Sequence, residues 1–415
     1  MSALREPMTT EPCTIASKQP LLPAEFGGAD DETGRVRAAG HDFELFMSAP
    51  PMIRAMVRDI CSARSRVWME TYIFANDRAG SAIADALSEQ ARAGLDVRLM
   101  YDAVGSFSTP AALFDRMREA GVKIHAYHTL AYALRKFRLF SIFNRRDHRK
   151  LLVVDDRVAY FGGMNIVDQS DVQTVEEAKR RNLPTSAGWR DVHTRMTGPK
   201  QSEVAGAFEW LWKRVHHQHP GHPPRWPIRA LVQTRVDSVW LFAARPTLRD
   251  RRAVRVFAPL IRNARRSIVV SMAYFVPDGL VLRELVRARR RGVKIRVIVP
   301  GQSDVPIVQA ATRHLYRFLL SHGVRIYERN DQMLHSKTMV IDGTWTLIGS
   351  CNLDPRSLRL NLEYIGVVRA RSMAAAVLRI CLFDLRNSRR VTSEDPRNRW
   401  RRMLDRAAWS VRRWL

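Results

Sequence analysis

The chain of 415 residues is poor in cysteine and lysine, and it has no long apolar run. Its four cysteines include no C-x-x-C pair, so a zinc site built on paired thiolates is not expected. No apolar stretch reaches the roughly 20 residues that a bilayer-spanning helix needs, so we expect any membrane contact to be made at the surface. Only nine of the 68 basic residues are lysine, which makes a lysine that recurs in a pattern informative.

The charge of the chain is strongly one-sided. Its formal net charge is +27 at pH 7. Such an excess implies an anionic partner, which is either nucleic acid or a membrane surface that carries acidic lipids. Composition alone does not choose between the two.

One pattern, H-x-K-x4-D, occurs twice, each time followed by a turn of small residues and an asparagine. The copies occupy residues 148–155 and 335–342, and the asparagines are Asn165 and Asn352. Side chains alternate along a strand, so the histidine and lysine of each copy project to the same face. Imidazole, ammonium and the free backbone N–H groups of a small-residue turn together suit a phosphate group. The residues predicted to be catalytic are His148, Lys150, Asp155, His335, Lys337 and Asp342.

The duplicated motif resembles the signature of the phospholipase D superfamily, in which two such half-sites meet at a pseudo-twofold interface. Residues 70–74, 97–106, 188–193 and 352–363 are also similar to bacterial cardiolipin synthases, of the B type without transmembrane helices. The resemblance covers roughly residues 41–386. It implies an α/β fold with two tandem phospholipase D-like α/β/α sandwich domains, related by pseudo-twofold symmetry, and an active site at their interface.

Helical and strand patterns alternate from about residue 41 and return in the same order in the second half, which indicates that a whole α/β domain is duplicated. Four of the twelve histidines lie within 216–222, but the neighbouring prolines favour a solvated linker, and no metal site is predicted. The predicted organisation is a disordered tail (1–40), a first phospholipase D-like domain (41–215), a linker (216–250), a second such domain (251–386) and a basic amphipathic tail (387–415).

The resemblance also implies roles for the site residues, and it requires no cofactor. His148 is assigned as the nucleophile and His335 as the general acid and then base, although the sequence leaves the reverse assignment open. The motif aspartates lie beyond their strands, which favours a bracing role for them. Asp191 and Glu363 are the acidic partners that hold a histidine nitrogen. The groups predicted to bind or support the phosphate are Lys150, Lys337, Asn165, Asn352 and Ser350.

Two basic stretches favour a lipid partner over nucleic acid. Residues 135–146 interleave cations with bulky apolar groups. The C-terminal segment places one apolar helical face among arginines, which is typical of a helix that lies in a membrane interface. A helix packed on its own domain is the alternative, and basic-aromatic alternation would also suit single-stranded nucleic acid. The predicted face consists of Trp400, Leu404, Ala407, Val411 and Trp414.

These features lead to one hypothesis about function. The resemblance over residues 352–363 and the single-chain, two-domain layout favour a peripheral cardiolipin synthase. It would transfer a phosphatidyl group from one phosphatidylglycerol to another and release glycerol, at the cytoplasmic face of a bacterial cell membrane. The alternative is a phospholipase D-type phosphodiesterase that hydrolyses phospholipid or nucleic acid.

Overall fold

The computed structural model describes residues 33–129, 145–168, 188–219, 228–244, 252–392 and 399–412, which contain two eight-stranded mixed sheets and a two-stranded one. The first half contributes β1 (Thr33–Ala38), β2 (His41–Phe46), α1 (Ala49–Cys61), β3 (Arg66–Thr71), α2 (Arg78–Arg92), β4 (Asp96–Asp102), α3 (Ala111–Glu119), β5 (Lys123–Tyr127), β6 (Leu151–Val154), β7 (Val158–Gly162), β8 (Trp189–Arg190), β9 (His193–Thr197) and α4 (Gln201–Val215).

The second half repeats much of this order. It contributes α5 (Ile228–Gln233), β10 (Ser238–Ala244), α6 (Arg252–Asn263), β11 (Ser267–Met272), α7 (Gly279–Arg290), β12 (Lys294–Pro300), α8 (Pro306–His314), α9 (Tyr316–Ser321), β13 (Arg325–Arg329), β14 (Met333–Leu334), β15 (Lys337–Ile341), β16 (Trp345–Gly349), α10 (Pro355–Arg359), β17 (Glu363–Arg369), α11 (Arg371–Arg386), β18 (Ser388–Arg390) and α12 (Arg399–Ser410).

The two large sheets share a strand order. One contains β9-β7-β6-β3-β4-β5, and the other contains β17-β16-β15-β11-β12-β13. In each sheet three strands are parallel, and the strand that follows the H-x-K motif pairs antiparallel with the first of them. The predicted fold of two tandem α/β units is therefore confirmed. The predicted helices and strands are also present in both halves, with boundaries that differ by a few residues.

The motif strands are buried along their whole length, and each ends in a sharp turn. All four residues of β6 and all five of β15 are buried, as apolar β-branched strands at the centre of a sheet should be. The motif aspartates follow these strands in the left-handed region, with φ of 52° at Asp155 and 55° at Asp342. Aspartate tolerates this conformation better than most side chains do, so it suits a sharp turn at this point.

The halves pack through a common apolar core that lies between the two large sheets. Val153 and Phe161 from the first half share this cluster with Val340 and Ile348 from the second. The sheets approach so closely that a Cβ on Gly366 would lie 2.5 Å from Cε2 of Phe161. Only glycine fits at this crossing, which sets the spacing of the two halves.

Two predicted boundaries differ from the structure. Residues 33–38 form β1, which pairs with β2 through a tight turn at Ala39 and Gly40, both at positive φ, whereas disorder was predicted up to residue 40. Residues 1–32 and 130–144 lie outside the described residues, so the predictions made for them have no counterpart here. The predicted linker contains α5 and also β10, an edge strand of the second sheet that pairs with β17.

The C-terminal helix α12 packs on its own domain along one side and leaves apolar residues exposed along another. Ala408 and the half-buried Trp409 pack against α8, while Trp400 and Leu404 are 71% and 65% exposed. Met403 is also exposed, and Trp414 of the predicted face lies outside the described residues. Within the described ranges, no helix combines the length and apolar character needed to cross a membrane.

Candidate active site

The two motif histidines lie at the start of equivalent strands. His148 and His335 are 9% and 5% exposed, and Lys150 and Lys337 follow them into the sheets. Burial lowers the pKa of His148 well below its usual range, and the charges of Lys150, Lys337 and His335 lower it further. Lys337 and His335 belong to the second motif, so the two motifs are close enough for their charges to interact.

Each histidine is held by a carboxylate from the other half of the chain. Nδ1 of His148 lies 3.1 Å from both oxygens of Glu363. Nδ1 of His335 lies 2.6 Å from Oδ2 of Asp191. A proton on Nδ1 is then directed to the carboxylate, which leaves Nε2 available for chemistry.

Backbone pairing between the two halves brings each carboxylate to the histidine of the opposite half. β8 pairs in parallel with β14, and the N–H of His335 donates to the carbonyl oxygen of Arg190 at 2.7 Å. At the equivalent place, Asp147 and Leu362 form a bridge, and the N–H of His148 donates to the carbonyl oxygen of Leu362 at 3.0 Å. Both crossings place the carboxylate one residue after the bridging residue, beside the ring that it holds.

The two carboxylates have opposite electrostatic character. Burial raises the pKa of Glu363 to about 8, although Lys150 and the hydroxyl of Ser350 oppose this rise. Burial also acts on Asp191, but Lys337 and His335 outweigh it and lower the pKa of this carboxyl. Nζ of Lys337 lies 3.2 Å from Asp191, which explains the difference. Asp191 is therefore ionised at neutral pH, whereas Glu363 is mostly protonated.

The two lysines are buried inside the site. Nζ of Lys150 donates to the carbonyl oxygen of His148 at 2.8 Å and lies over the ring of Tyr72. Burial lowers the pKa of Lys150 to about 7. Burial also lowers the pKa of Lys337, although Asp191 opposes this change. A bound anion would favour the charged form of both lysines and so raise their pKa, in opposition to burial.

The asparagines and the serine have supporting contacts. Oδ1 of Asn165 accepts from the N–H of Ile73 at 3.3 Å, and Oδ1 of Asn352 accepts from the N–H of Tyr274 at 3.4 Å. These contacts fix each amide so that its oxygen faces the backbone and its nitrogen remains a donor. The hydroxyl of Ser350 donates to Oε2 of Glu363 at 2.5 Å, so this side chain holds the carboxylate.

The structure does not bring the motif aspartates to this centre. Asp155 accepts from the backbone N–H groups of residues 64–66, and Asp342 accepts from those of residues 265–267. Both carboxylates lie at the far end of the motif strand and fix the turn that leads into β3 or β11. Their inclusion among the catalytic residues is not supported by this placement, while the bracing role is.

Four residues near the histidines were not assigned a role from the sequence. The ring of Tyr72 meets His148 edge-on at 5.1 Å, and the rings of Trp189 and Tyr274 lie 5.1 and 6.3 Å from that of His335. The hydroxyl of Tyr274 donates to Asp304 at 2.7 Å. Tyr72 and Trp189 fall in stretches that carry the family resemblance, and this resemblance was the only sequence feature that could have pointed to them. Tyr274 and Asp304 stand outside those stretches.

No metal-binding cluster accompanies these groups within the part of the chain that the structure describes, where no three His, Cys, Asp or Glu side chains lie close enough to hold an ion. His216 packs its ring against Trp212 and His125. The described histidines of the His-rich stretch therefore include one that has an ordinary packing role.

Comparison with known proteins agrees with the duplicated architecture. A family model described as "Cardiolipin synthase, PLD-like domain" matches residues 56–179 and again 257–381. The chain is 30% identical over 362 residues to cardiolipin synthase A of Pseudomonas putida (strain GB-1), an alignment that covers 87% of this chain and 72% of that protein. It is 31% identical to cardiolipin synthase A of Serratia proteamaculans (strain 568), with coverage of 83% and 69%.

A solved structure supports the fold. The crystal structure of phosphatidylserine synthase from Haemophilus influenzae matches with a TM-score of 0.68 at 15% identity, over 92% of this chain and 97% of that one. At this identity the likeness concerns the fold alone. The sequence relatives and the family model establish the family as well as the fold, because the model matches once in each half. The chain therefore belongs to the family of cardiolipin synthase, phospholipase D-like domain proteins.

Proposed function

We propose that this protein is a cardiolipin synthase, which transfers a phosphatidyl group from one phosphatidylglycerol to the free glycerol hydroxyl of another. The observation that carries the proposal is the pair of facing motifs, in which each histidine has its Nδ1 held by a carboxylate of the opposite half. This arrangement presents two Nε2 atoms and two buried lysines to one centre, which suits a two-step displacement at a phosphodiester. The names of the sequence relatives support phosphatidylglycerol as the substrate class.

In the first step, Nε2 of His148 would attack phosphorus, and the bond from phosphorus to the glycerol oxygen would break. Protonated His335 would give its proton to that oxygen, so that glycerol leaves as a neutral alcohol. The product at this stage is a phosphatidyl group bonded to His148. In the second step, His335 would take the proton from the incoming hydroxyl while its oxygen displaces His148 from phosphorus.

The different carboxylates support this division of roles. A nucleophile must be unprotonated at Nε2, and the pKa of His148 is lowered well below its usual range by burial and by the surrounding cations. A general acid must carry a proton. Burial and Lys337 lower the pKa of His335, but the charge and the hydrogen bond of Asp191 oppose this change and favour the protonated ring. The reverse assignment would pair the acid with Glu363, which is mostly neutral at pH 7.

The cations and amides would stabilise the transition state. Lys150 and Lys337 supply positive charge where the non-bridging oxygens of phosphate would lie, in a site with little water. The nitrogen atoms of Asn165 and Asn352 add neutral donors from each half. Ser350 would act indirectly, through Glu363.

The test is a product analysis with the full chain and vesicles of labelled phosphatidylglycerol. Transferase activity yields cardiolipin and an equal amount of glycerol. His148→Ala should abolish both products, whereas Asp85→Asn, a change at an exposed position of α2, should leave both unchanged. Phosphatidic acid formed with water in place of cardiolipin, or cleavage of DNA, would contradict the proposal and favour the hydrolase.

We further propose that the protein binds the surface of an anionic bilayer through α12, at the cytoplasmic face of a bacterial membrane. The exposed face of this helix contains Trp400, Met403 and Leu404, and Arg401 and Arg406 are exposed beside it. Apolar groups that enter the lipid and arginines that contact phosphates are the two parts of an interfacial helix. The net charge of +27 supports an anionic surface.

Sedimentation with vesicles tests this contact separately from catalysis. Leu404→Asp should reduce binding to vesicles that contain phosphatidylglycerol, and salt should weaken the binding of the wild type. A matched control is Val236→Asp, since Val236 is 70% exposed but lies in the loop before β10. Equal binding of the two variants would contradict a role for α12.

A further inference from the structure

The pseudo-twofold symmetry of the site is broken beside His335. Strand pairing makes Tyr274 the equivalent of Ile73, because their N–H groups donate to the equivalent asparagines, Asn352 and Asn165. The registers of β3 with β4 and of β11 with β12 make β4 and β12 equivalent, and when the count is continued into the loops that follow these strands, Asp304 takes the place of Ser106. The first half therefore has an isoleucine and a serine where the second half has a tyrosine and a carboxylate.

The two equivalent positions have different environments. In the first half, Ser106 is buried, and its hydroxyl accepts from the N–H of Phe74 and lies near the carbonyl oxygen of Tyr72. In the second half, Tyr274 and Asp304 are both partly accessible. A serine bonded to the backbone has a structural role, whereas a half-exposed carboxylate beside a reaction centre can meet a ligand.

The geometry places the Tyr274 and Asp304 pair next to the reacting groups. The hydroxyl of Tyr274 donates to Oδ2 of Asp304 at 2.7 Å, and the ring of Tyr274 stands edge-on to that of His335 with centroids 6.3 Å apart. Oδ1 of Asp304 lies 3.2 Å from the hydroxyl of Ser303. The charge of Asp304 also raises the pKa of His335 and Lys337, in opposition to burial, so the carboxylate is close to both.

An alcohol that enters or leaves the site must be near the general acid and base. Phosphorus chemistry needs equivalent groups from both halves, but only one side has to hold the alcohol. A carboxylate that is fixed by a tyrosine hydroxyl can accept hydrogen bonds from a further hydroxyl, because each of its oxygens has two acceptor positions. Glycerol and the glycerol headgroup present such extra hydroxyls, whereas a simple alcohol such as propan-1-ol does not.

We propose that Asp304 and Tyr274 form a polyol subsite, in which Asp304 accepts a hydrogen bond from a non-reacting hydroxyl of the glycerol group that leaves or attacks beside His335. This inference rests on the proposed function and deepens it, because it locates the alcohol side of the reaction. In the second step the reacting hydroxyl gives its proton to His335 and its oxygen bonds to phosphorus as the bond to His148 breaks. The neighbouring hydroxyl stays bonded to Asp304 throughout.

The experiment measures how the enzyme partitions a phosphatidyl group between two added alcohols. Phosphatidylglycerol vesicles with one labelled acyl chain are incubated with equal concentrations of isotopically labelled glycerol and propan-1-ol, and the two phosphatidyl alcohols are quantified. The ratio of the products depends on recognition of the alcohol and not on the amount of folded enzyme. A loss of general stability would lower both products equally.

The wild type should favour glycerol, and Asp304→Ala should lower the ratio about tenfold or more, since hydrogen bonds to charged groups contribute that much. Asp304→Asn keeps an acceptor for Tyr274 without the charge and should give a smaller decrease. Asp85→Asn is the control for an Asp-to-Asn change on the surface.

The two levels of the proposal fail in different ways. An unchanged ratio in Asp304→Ala, with both products reduced alike, would overturn the subsite while the transferase stands. A wild type that forms neither phosphatidyl alcohol but only phosphatidic acid would overturn the transferase and the subsite with it.

Discussion

Asp191→Asn should cost far more activity at pH 7 than Glu363→Gln, although both changes remove a carboxylate that holds a histidine. Asp191 is ionised and contacts His335 at 2.6 Å and Lys337 at 3.2 Å. Asparagine would leave Lys337 as a buried cation without its partner and would withdraw the negative charge that stabilises protonated His335. A charge-assisted hydrogen bond contributes about 1.5–3 kcal/mol. The rate of the step that uses His335 should therefore fall roughly 10- to 150-fold.

Glu363 differs because its carboxyl is mostly protonated at pH 7, with a pKa raised to about 8. Glutamine resembles the protonated form in size and can still accept from Nδ1 of His148. We therefore expect a decrease of less than about threefold, which corresponds to well under 1 kcal/mol. Above pH 8 the wild type gains a negative charge that the variant lacks, so the difference between them should grow as the pH rises.

The assay is the initial rate of cardiolipin formation from vesicles between pH 6 and 9, with thermal unfolding measured on the same samples. Folding raises the pKa of Glu363 from 4.5 to about 8. This group therefore contributes stability at low pH that is lost as the pH rises through that range. Glu363→Gln should lack this loss. Equal decreases in rate for the two variants at pH 7 would refute the assigned difference in ionisation.

Three further predictions concern the supporting structure. Asp342→Ala should lower the free energy of unfolding by about 2 kcal/mol, because the carboxylate of Asp342 accepts three backbone N–H bonds. These bonds lie away from the site, so the rate per folded molecule should not change. Asp342→Asn should lower the stability less, and denaturant titration measures both variants. Gly163→Ala would place a Cβ 2.2 Å from Oδ1 of Asp191 and should reduce the rate about 10²-fold. The control is Gly206→Ala, whose Cβ would meet open space and should leave the rate unchanged. Steady-state rates of the two variants are compared with that of the wild type. Asp384→Ala would remove the carboxylate that Arg190 and the buried Arg329, one from each half, share, while Arg329 keeps Asp331. We expect the free energy of unfolding to fall by about 2–3 kcal/mol in thermal unfolding, and a smaller loss than that of Asp342→Ala would contradict this.

The sequence predicted the fold well because the fold is recorded in local patterns, and the predicted reaction centre is based on patterns of the same kind. Alternating strands and helices define the two halves, and a histidine two residues before a lysine projects to the same face of a strand. The early hairpin was missed because its short strands follow a polar segment, although Ala39 and Gly40 form a recognisable turn. β10 was missed because the preceding histidines and prolines suggested a linker that continued further.

The exchange of carboxylates could not be derived from the sequence. Glu363 lies 215 residues from His148, and Asp191 lies 144 residues from His335. No local period or spacing connects such positions, because their contact depends on how the two sheets dock. The polar pair beside His335 was missed for a similar reason, since Tyr274 and Asp304 are 30 residues apart and meet only at the ends of neighbouring strands.

The exchanged carboxylates make each half incomplete by itself. Until the second half has folded and closed on the first, neither imidazole has the partner that sets its tautomer and orientation. A partly synthesised chain would thus contain a copy of the motif whose histidine lacks its carboxylate, and we expect such a chain not to cleave phospholipid. The contact between the halves is therefore needed before either motif has its complete set of partners.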